Sequence, residues 1–235
     1  MDIRCVWEHN GRDTLLYASD FPGAFARGED LTTARRKMPN EISSYLQWAT
    51  GTCVEDANVN VIQESECDLN VYDADSDVIF HTEREPLQLG QYEALRALTL
   101  KSASDFLTLY QSIPDKNHSD LPQRTTFYGV VPRTAEEMYQ HTKNVNAYYF
   151  GEIGVDADNE GDILSCRLRG FDLLEQQDSF LLNTMFEGSY GECWTLRKML
   201  RRFIWHDRIH AKAMYRMATR VFGAENIVNP FFFED

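Results

Sequence analysis

The sequence predicts an α+β protein in two parts. The first, residues 1–85, is a small antiparallel sheet with one main helix, and the second, residues 86–235, is an all-α four-helix bundle. Short runs with strand propensity surround one helical pattern in the first part, whereas the second shows four long helical patterns. The charge divides at the same place. Residues 1–85 carry 7 Lys and Arg against 17 Asp and Glu, a net charge of −10, and residues 86–235 carry 16 against 20, a net charge of −4.

Whole-chain composition narrows the classes of function. The chain has 235 residues, 43% of them hydrophobic, which is enough to build a core. Its net charge of −14 disfavours binding to nucleic acid or to an anionic membrane. The N-terminal residues, Met1 to Glu8, lack the pattern of a signal peptide, and no apolar run is long enough to span a membrane. A small-molecule substrate remains the expected kind of partner, and a homodimer is left open.

Cysteine usage indicates the compartment. The five cysteines are scattered, odd in number and without a C-x-x-C pair. This argues against a disulfide framework and against a cysteine zinc site. We therefore expect a reducing, cytoplasmic location.

The first part is predicted from alternating short elements. A turn at residues 11–13 separates the first two strands, and apolar residues then recur at helical spacing from Leu31 to Ala49. Pro39 lies inside that pattern, so we expect a kink or a late helix start there. The predicted strands are Ile3–Trp7, Thr14–Ala18, Ala24–Arg27, Asn58–Gln63 and Val71–Phe80.

The second part is predicted from helix signals. A capping box, Thr134 with Glu137, opens the second of its four helices. The last helix has no internal proline and should run for roughly 27 residues, about 40 Å. The four helices are predicted from Pro86 to Pro114, from Thr134 to Gly151–Gly154, from Asp162 to about Leu174, and from Thr195 to Gly223.

Three of the six histidines have a spacing that suits a metal ion. His206 and His210 lie four residues apart, which places both imidazoles on one face of the last helix. His141, on the second helix of this part, is the candidate third ligand. Three imidazoles would leave coordination positions for water or substrate, as in catalytic sites. The alternative is that these are capped or core histidines.

Two stretches of the second part resemble the DinB-like superfamily of metal-binding four-helix bundles. One runs from Thr134 to His141, and the other starts at Trp194-Thr195-Leu196-Arg197 and continues to the histidine pair. The superfamily includes metal-dependent bacillithiol and mycothiol transferases. The resemblance implies that His141, His206 and His210 bind a divalent ion, zinc or nickel.

The first part resembles the HicB-like domain, a small strand and helix unit best known from antitoxins. The resemblance rests on the turn Asp20-Phe21-Pro22-Gly23-Ala24-Phe25, followed by Gly28, Leu31 and Ala34. The chain shows no separate DNA-binding segment of the kind that HicB antitoxins usually add. We therefore rank an antitoxin or DNA-binding role last.

Four further residues are candidates for the site. Tyr148 and Glu152 share the face of His141 and could supply an acid, a base or a hydrogen-bond acceptor, although tyrosines at this spacing also suit a core. Arg202, one turn before His206, could hold an anionic group such as a substrate carboxylate, or form a surface ion pair. With Asp207, the stretch from His206 to His210 reads H-D-x-x-H, which is similar to the H-E-x-x-H motif of zinc proteases. We reject that interpretation, and expect the Asp207 carboxylate to pair with an arginine or to support a histidine.

The last helix is strongly basic within an acidic protein. Such a stripe can bind nucleic acid, but we favour docking on the acidic first part. Its basic residues are Arg197, Lys198, Arg201, Arg202, Arg208, Lys212, Arg216 and Arg220.

Two functions follow from these features. The first is a metal-dependent transferase or hydrolase acting on a small thiol or electrophilic substrate. The alternative is a non-catalytic binding or regulatory protein that recognises a partner through its HicB-like part.

Overall fold

The computed structural model describes residues 1–54 and 57–234, which form a small mixed sheet with one helix followed by a helical region. The sheet strands are β1 (Asp2–His9), β2 (Thr14–Ala18), β3 (Phe25–Gly28) and β4 (Asn58–Glu66), with α1 (Leu31–Thr50) between β3 and β4. The later helices are α2 (Leu89–Ser112), α3 (Ala135–Gly151), α4 (Ile163–Leu174) and α5 (Leu196–Phe222). Two-residue strands form the hairpins β5 (Thr125–Thr126) with β6 (Gly129–Val130), and β7 (Phe186–Glu187) with β8 (Cys193–Trp194).

The sheet is mixed, so the expectation of a purely antiparallel sheet is wrong. The strand order is β3-β2-β1-β4; β2 pairs antiparallel with β1 and β3, whereas β4 pairs parallel with β1. Parallel pairing needs a long crossover, and α1 provides it. The helix begins at Leu31, where the Asp30 carboxylate accepts from the Thr33 amide at 2.6 Å. A late start at Pro39 is therefore also wrong, because Pro39 lies inside the helix.

The predicted strand over Val71–Phe80 is wrong as well. This segment contains a short 3-10 turn at Val71–Asp73. The backbone carbonyls of residues 76–78 accept hydrogen bonds from side chains of α5 instead of from a neighbouring strand. Lys198 donates to the Asp77 carbonyl at 2.6 Å, and Arg201 donates to the Val78 carbonyl at 2.9 Å. The basic side chains of α5 thus satisfy backbone groups that a sheet would otherwise pair.

The four helices predicted after residue 86 are confirmed, although the first begins at Leu89 and not at Pro86. At the start of α3, α4 and α5, the side chain of the capping residue accepts a hydrogen bond from a backbone amide of the first turn. The capping residues are Thr134, Asp162 and Thr195, respectively. The α5 helix has 27 residues. It packs against α2 and α3, while α4 packs against the same two helices. In the part of the chain that the structure describes, no helix has both the length and the apolar character needed to cross a membrane.

The hydrophobic core joins residues from both sides of residue 85. Alternate residues of β2 face opposite sides of the sheet, so Leu16 joins the cluster that contains α1, whereas Tyr17 joins a second cluster. The α5 helix reaches both clusters, with Ile204 in the first and Trp205 in the second. The long helix therefore connects the sheet to the helical region.

Ion pairs reinforce this connection, as expected for docking of the basic helix on the acidic first part. Arg208 contacts Glu41 at 2.7 Å, and Lys212 contacts the other oxygen of the same carboxylate at 3.2 Å. Arg201 pairs with Glu83. These contacts are buried or half-buried, so they hold α5 against α1 and against the segment that precedes α2.

Candidate metal centre

Two capped helices bring the three predicted histidines together. His141 lies in the second turn of α3, whose start is set by the reciprocal hydrogen bonds of Thr134 and Glu137, each 3.1 Å long. His206 and His210 lie near the middle of α5, one turn apart. Because α3 packs against α5, His141 faces the pair.

The three imidazoles have the spacing of a ligand set. One ring nitrogen from each histidine can be chosen so that all three lie within 4.8 Å of one another. The ring centroids of His206 and His210 are 4.5 Å apart, and that of His141 lies 5.1 Å from the first and 4.6 Å from the second. A single ion with bonds of about 2.0–2.1 Å to imidazole nitrogen could therefore be shared after small side-chain adjustments.

The surroundings keep these rings neutral. Burial, followed by the neighbouring His141, lowers the pKa of His210 to about 3. Burial and the other two imidazoles lower the pKa of His206 well below its ordinary value, and burial lowers that of His141. Neutral imidazole is the form that binds a metal ion. Nδ1 of His206 is also buried and has no hydrogen-bond partner among the described residues. A buried polar atom without a partner is consistent with a ligand atom of a metal site.

The Asp207 carboxylate forms a buried ion pair with Arg167 and is not one of the groups in the histidine cluster. Its Oδ2 lies 2.5 Å from Nη1 of Arg167 and accepts from the Ser102 hydroxyl at 2.5 Å, and both side chains of the ion pair are fully buried. The expected pairing of Asp207 with an arginine is confirmed. This pairing ties α5 to α2 and α4 at the residue that follows His206.

A large cavity opens above the histidine cluster. Its volume is about 1480 Å³, and all three histidines line it. One wall comes from the first part of the chain, including Arg27 and Lys37, and another comes from the hairpin that carries Tyr128. The ring of Tyr128 lies 6.0 Å from that of His141. The cavity is thus large enough for a small-molecule ligand and places it beside the imidazoles.

Of the other predicted site residues, Tyr148 and Arg202 line the cavity and Glu152 does not. Tyr148 lines the cavity, and burial raises its pKa, so its phenol stays protonated at neutral pH. Arg202 also lines the cavity, where it donates to the Ser76 carbonyl at 2.7 Å and lies 4.8 Å from the Trp205 ring. Glu152 is buried, accepts from the Ser189 amide at 2.7 Å, and is not among the cavity-lining residues that the structure describes.

Two features near the site were not predicted. Tyr128 lies in a hairpin too short to show a strand pattern, although the exposed aromatic pair Phe127-Tyr128 before a glycine was a signal for it. Arg27 and Lys37 reach the cavity from β3 and α1. No local pattern could place them there, because the approach of the two parts of the chain is a long-range contact.

Comparison of the chain with family models, with curated proteins and with solved structures finds no match.

Proposed function

We propose that the protein binds one divalent metal ion, zinc or nickel, through His141, His206 and His210. The observation that carries the proposal is the convergence of three neutral imidazoles from two helices at the wall of a large cavity. Imidazole suits both metals. Three protein ligands leave room for a further ligand from the cavity, which is typical of catalytic rather than structural sites.

We further propose that the helices α2 to α5 form a DinB-like four-helix bundle and that residues 1–85 are a HicB-like unit. The pairwise packing of α2 and α3 against both α4 and α5 supports the first assignment. The order of strands and helix before residue 67 supports the second. The five free cysteines are consistent with the proposed cytoplasmic location.

The proposed reaction class is transfer to, or hydrolysis of, a small electrophile, with a thiol or water as nucleophile. A bound metal ion would supply Lewis-acid activation and a lower pKa for the group that it coordinates. The chain's own residues would position the reactants. The Tyr148 phenol keeps its proton and can donate a hydrogen bond, and Tyr149, whose ring lies 5.9 Å from that of His206, packs against one ligand.

Metal analysis after reconstitution tests the site. We expect about one equivalent of zinc or nickel per chain, and loss of most of it in His206→Ala and in His210→Ala. His118→Ala is the control, because His118 is exposed and lies outside the cluster. The bound ion should also stabilise the fold, by about 2.7 kcal/mol at a free metal concentration of 100 times Kd. Less than about a tenth of an equivalent in the unaltered protein would refute the site.

One observation favours the non-catalytic alternative, a binding or regulatory protein with the same metal. Glu152 is engaged with the Ser189 amide and does not line the described cavity, so it does not face a ligand there as a base. A screen of thiol transfer and hydrolysis with metal-loaded protein separates the two. Turnover that disappears in His206→Ala supports the enzyme, and stoichiometric metal without turnover supports the alternative.

A further inference from the structure

The hairpin formed by β5 and β6 places an aromatic side chain beside the histidine cluster. The ring of Tyr128 lies 6.0 Å from that of His141, with an angle of 32° between the two planes, and both residues line the cavity. A metal ion bound to an imidazole nitrogen of His141 would therefore lie within about 10 Å of the Tyr128 ring. A ligand group bonded next to the metal-binding atom is thus within reach of this ring.

The tip of the hairpin is held by contacts within the hairpin and with the first part of the chain. The rings of Phe127 and Tyr128 are perpendicular, with centroids 4.9 Å apart, which is a favoured arrangement of two aromatic side chains. The Val131 amide donates to the Arg124 carbonyl at 3.0 Å, and the Arg124 guanidinium pairs with Asp73 at 2.8 Å. The two rings therefore have a defined position that does not depend on a bound ligand.

The wall of the cavity at this hairpin is apolar and partly uncovered. Phe127 is 54% exposed and Tyr128 is 42% exposed, and both line the cavity. Met138, one turn before His141 on α3, is buried and lines the cavity as well. Adjacent exposed apolar side chains that line a cavity are typical of a binding surface. An apolar part of a ligand would therefore find its contacts beside His141.

The distribution of charge favours the same placement. The guanidinium of Arg124, at the base of the hairpin, is already neutralised by its ion pair. By contrast, Asp75 and Asp77 line the cavity near Arg202, which donates to the carbonyl of the intervening residue Ser76. An apolar group placed against these carboxylates would remove water from them, which is unfavourable. The hairpin is therefore the better wall for an apolar group.

We propose that the ligand of this cavity carries an aromatic ring next to its metal-binding atom, and that this ring packs on Tyr128. The inference rests on the proposed metal site and deepens it, because it names the substrate class as a thiol or electrophile that bears an aromatic ring. Phe127 and Met138 extend the apolar surface that such a ring would contact. The ligand ring would gain both from the burial of apolar area and from the geometry of the ring–ring contact.

Cobalt-substituted protein and two thiols test the proposal. Phenylmethanethiol has an aromatic ring one carbon from its sulfur, whereas thioglycerol has two hydroxyl groups on a short chain, and both are alkyl thiols. The readout is the sulfur-to-cobalt charge-transfer band during titration with each thiol. We expect phenylmethanethiol to bind about tenfold more tightly, because its ring is removed from water and contacts the Tyr128 ring.

Variants show whether Tyr128 is the source of this preference. Tyr128→Ser should remove most of it while the cobalt content and the affinity for thioglycerol stay unchanged, and Tyr128→Phe should keep it because the ring remains. Tyr190→Ser is the matched control and should also keep it. Tyr190 lines the cavity too, but it is 98% exposed and lies in the loop between β7 and β8. A preference that survives in Tyr128→Ser would overturn the inference.

A second copy of the chain is the other occupant that the exposed tip could fit. We expect the unaltered cobalt protein and Phe127→Ser to have the same oligomeric state in sedimentation experiments. A dimer that dissociates in Phe127→Ser, or equal affinities for the two thiols, would overturn the inference and leave the cobalt site intact. Absence of any cobalt spectrum before a thiol is added would instead refute the metal site and the inference with it.

Discussion

Replacing Asp207 with alanine should lower the free energy of unfolding by about 3–5 kcal/mol. The Asp207 carboxylate is fully buried and is the ion-pair partner of Arg167, whose side chain is also fully buried. Removing the acid leaves an uncompensated guanidinium inside the protein, beside the Phe203 ring at 4.1 Å. Urea unfolding of the metal-free protein measures the change, so that loss of metal does not contribute.

Two comparisons identify the cause. Arg167→Met combined with Asp207→Leu removes both charges, and we expect it to recover most of the lost stability. Asp120→Ala breaks an ion pair of similar geometry with Arg220, but both partners are exposed, so it should cost at most about 1 kcal/mol. An effect of Asp207→Ala as small as that of Asp120→Ala would show that the buried pair is not formed.

Gly23→Ala should destabilise the protein by about 2–5 kcal/mol, through backbone strain and a steric clash. Gly23 has φ of +93°, which a residue with a side chain rarely adopts. A Cβ at this position would overlap Cγ2 of Ile204 and would lie 3.0 Å from the backbone carbon of the same residue. The turn before β3 would therefore have to move away from α5. Thermal or urea unfolding measures the loss.

Gly11→Ala is the matched control. Gly11 also has a positive φ, +80°, but a Cβ added there would meet no atom within 4 Å among the described residues beyond its chain neighbours. It should show only the backbone cost, about 1–3 kcal/mol. The difference between the two variants measures how closely the first part of the chain docks on α5. Equal losses would contradict the close approach of Gly23 and Ile204.

Local patterns predicted the helices and the histidine pair on α5. Helix starts depend on a few neighbouring residues, and Thr134, Asp162 and Thr195 all cap as expected. The pair His206 and His210 shares a face because of helical periodicity alone. His141 joins them because α3 packs against α5, a contact that the family resemblance suggested and that no local pattern could establish.

Long-range contacts account for the errors. The sequence around β4 is compatible with either direction of pairing, and only the crossover through α1 makes it parallel to β1. Residues 71–80 have strand propensity. However, the carbonyls of Asp77 and Val78 accept hydrogen bonds from the side chains of Lys198 and Arg201 instead of from a neighbouring strand. Glu152 shares a helical face with His141, yet a loop amide 37 residues away holds its carboxylate.

Zinc X-ray absorption on the reconstituted protein tests the central claim most directly. Five cysteines are free, so sulfur ligation is the main competing arrangement. We predict nitrogen or oxygen neighbours alone at about 2.0–2.1 Å, with the scattering pattern of three imidazoles that decreases in His141→Ala, His206→Ala and His210→Ala. Sulfur neighbours at about 2.3 Å, or an imidazole pattern unchanged in these variants, would contradict the proposed centre.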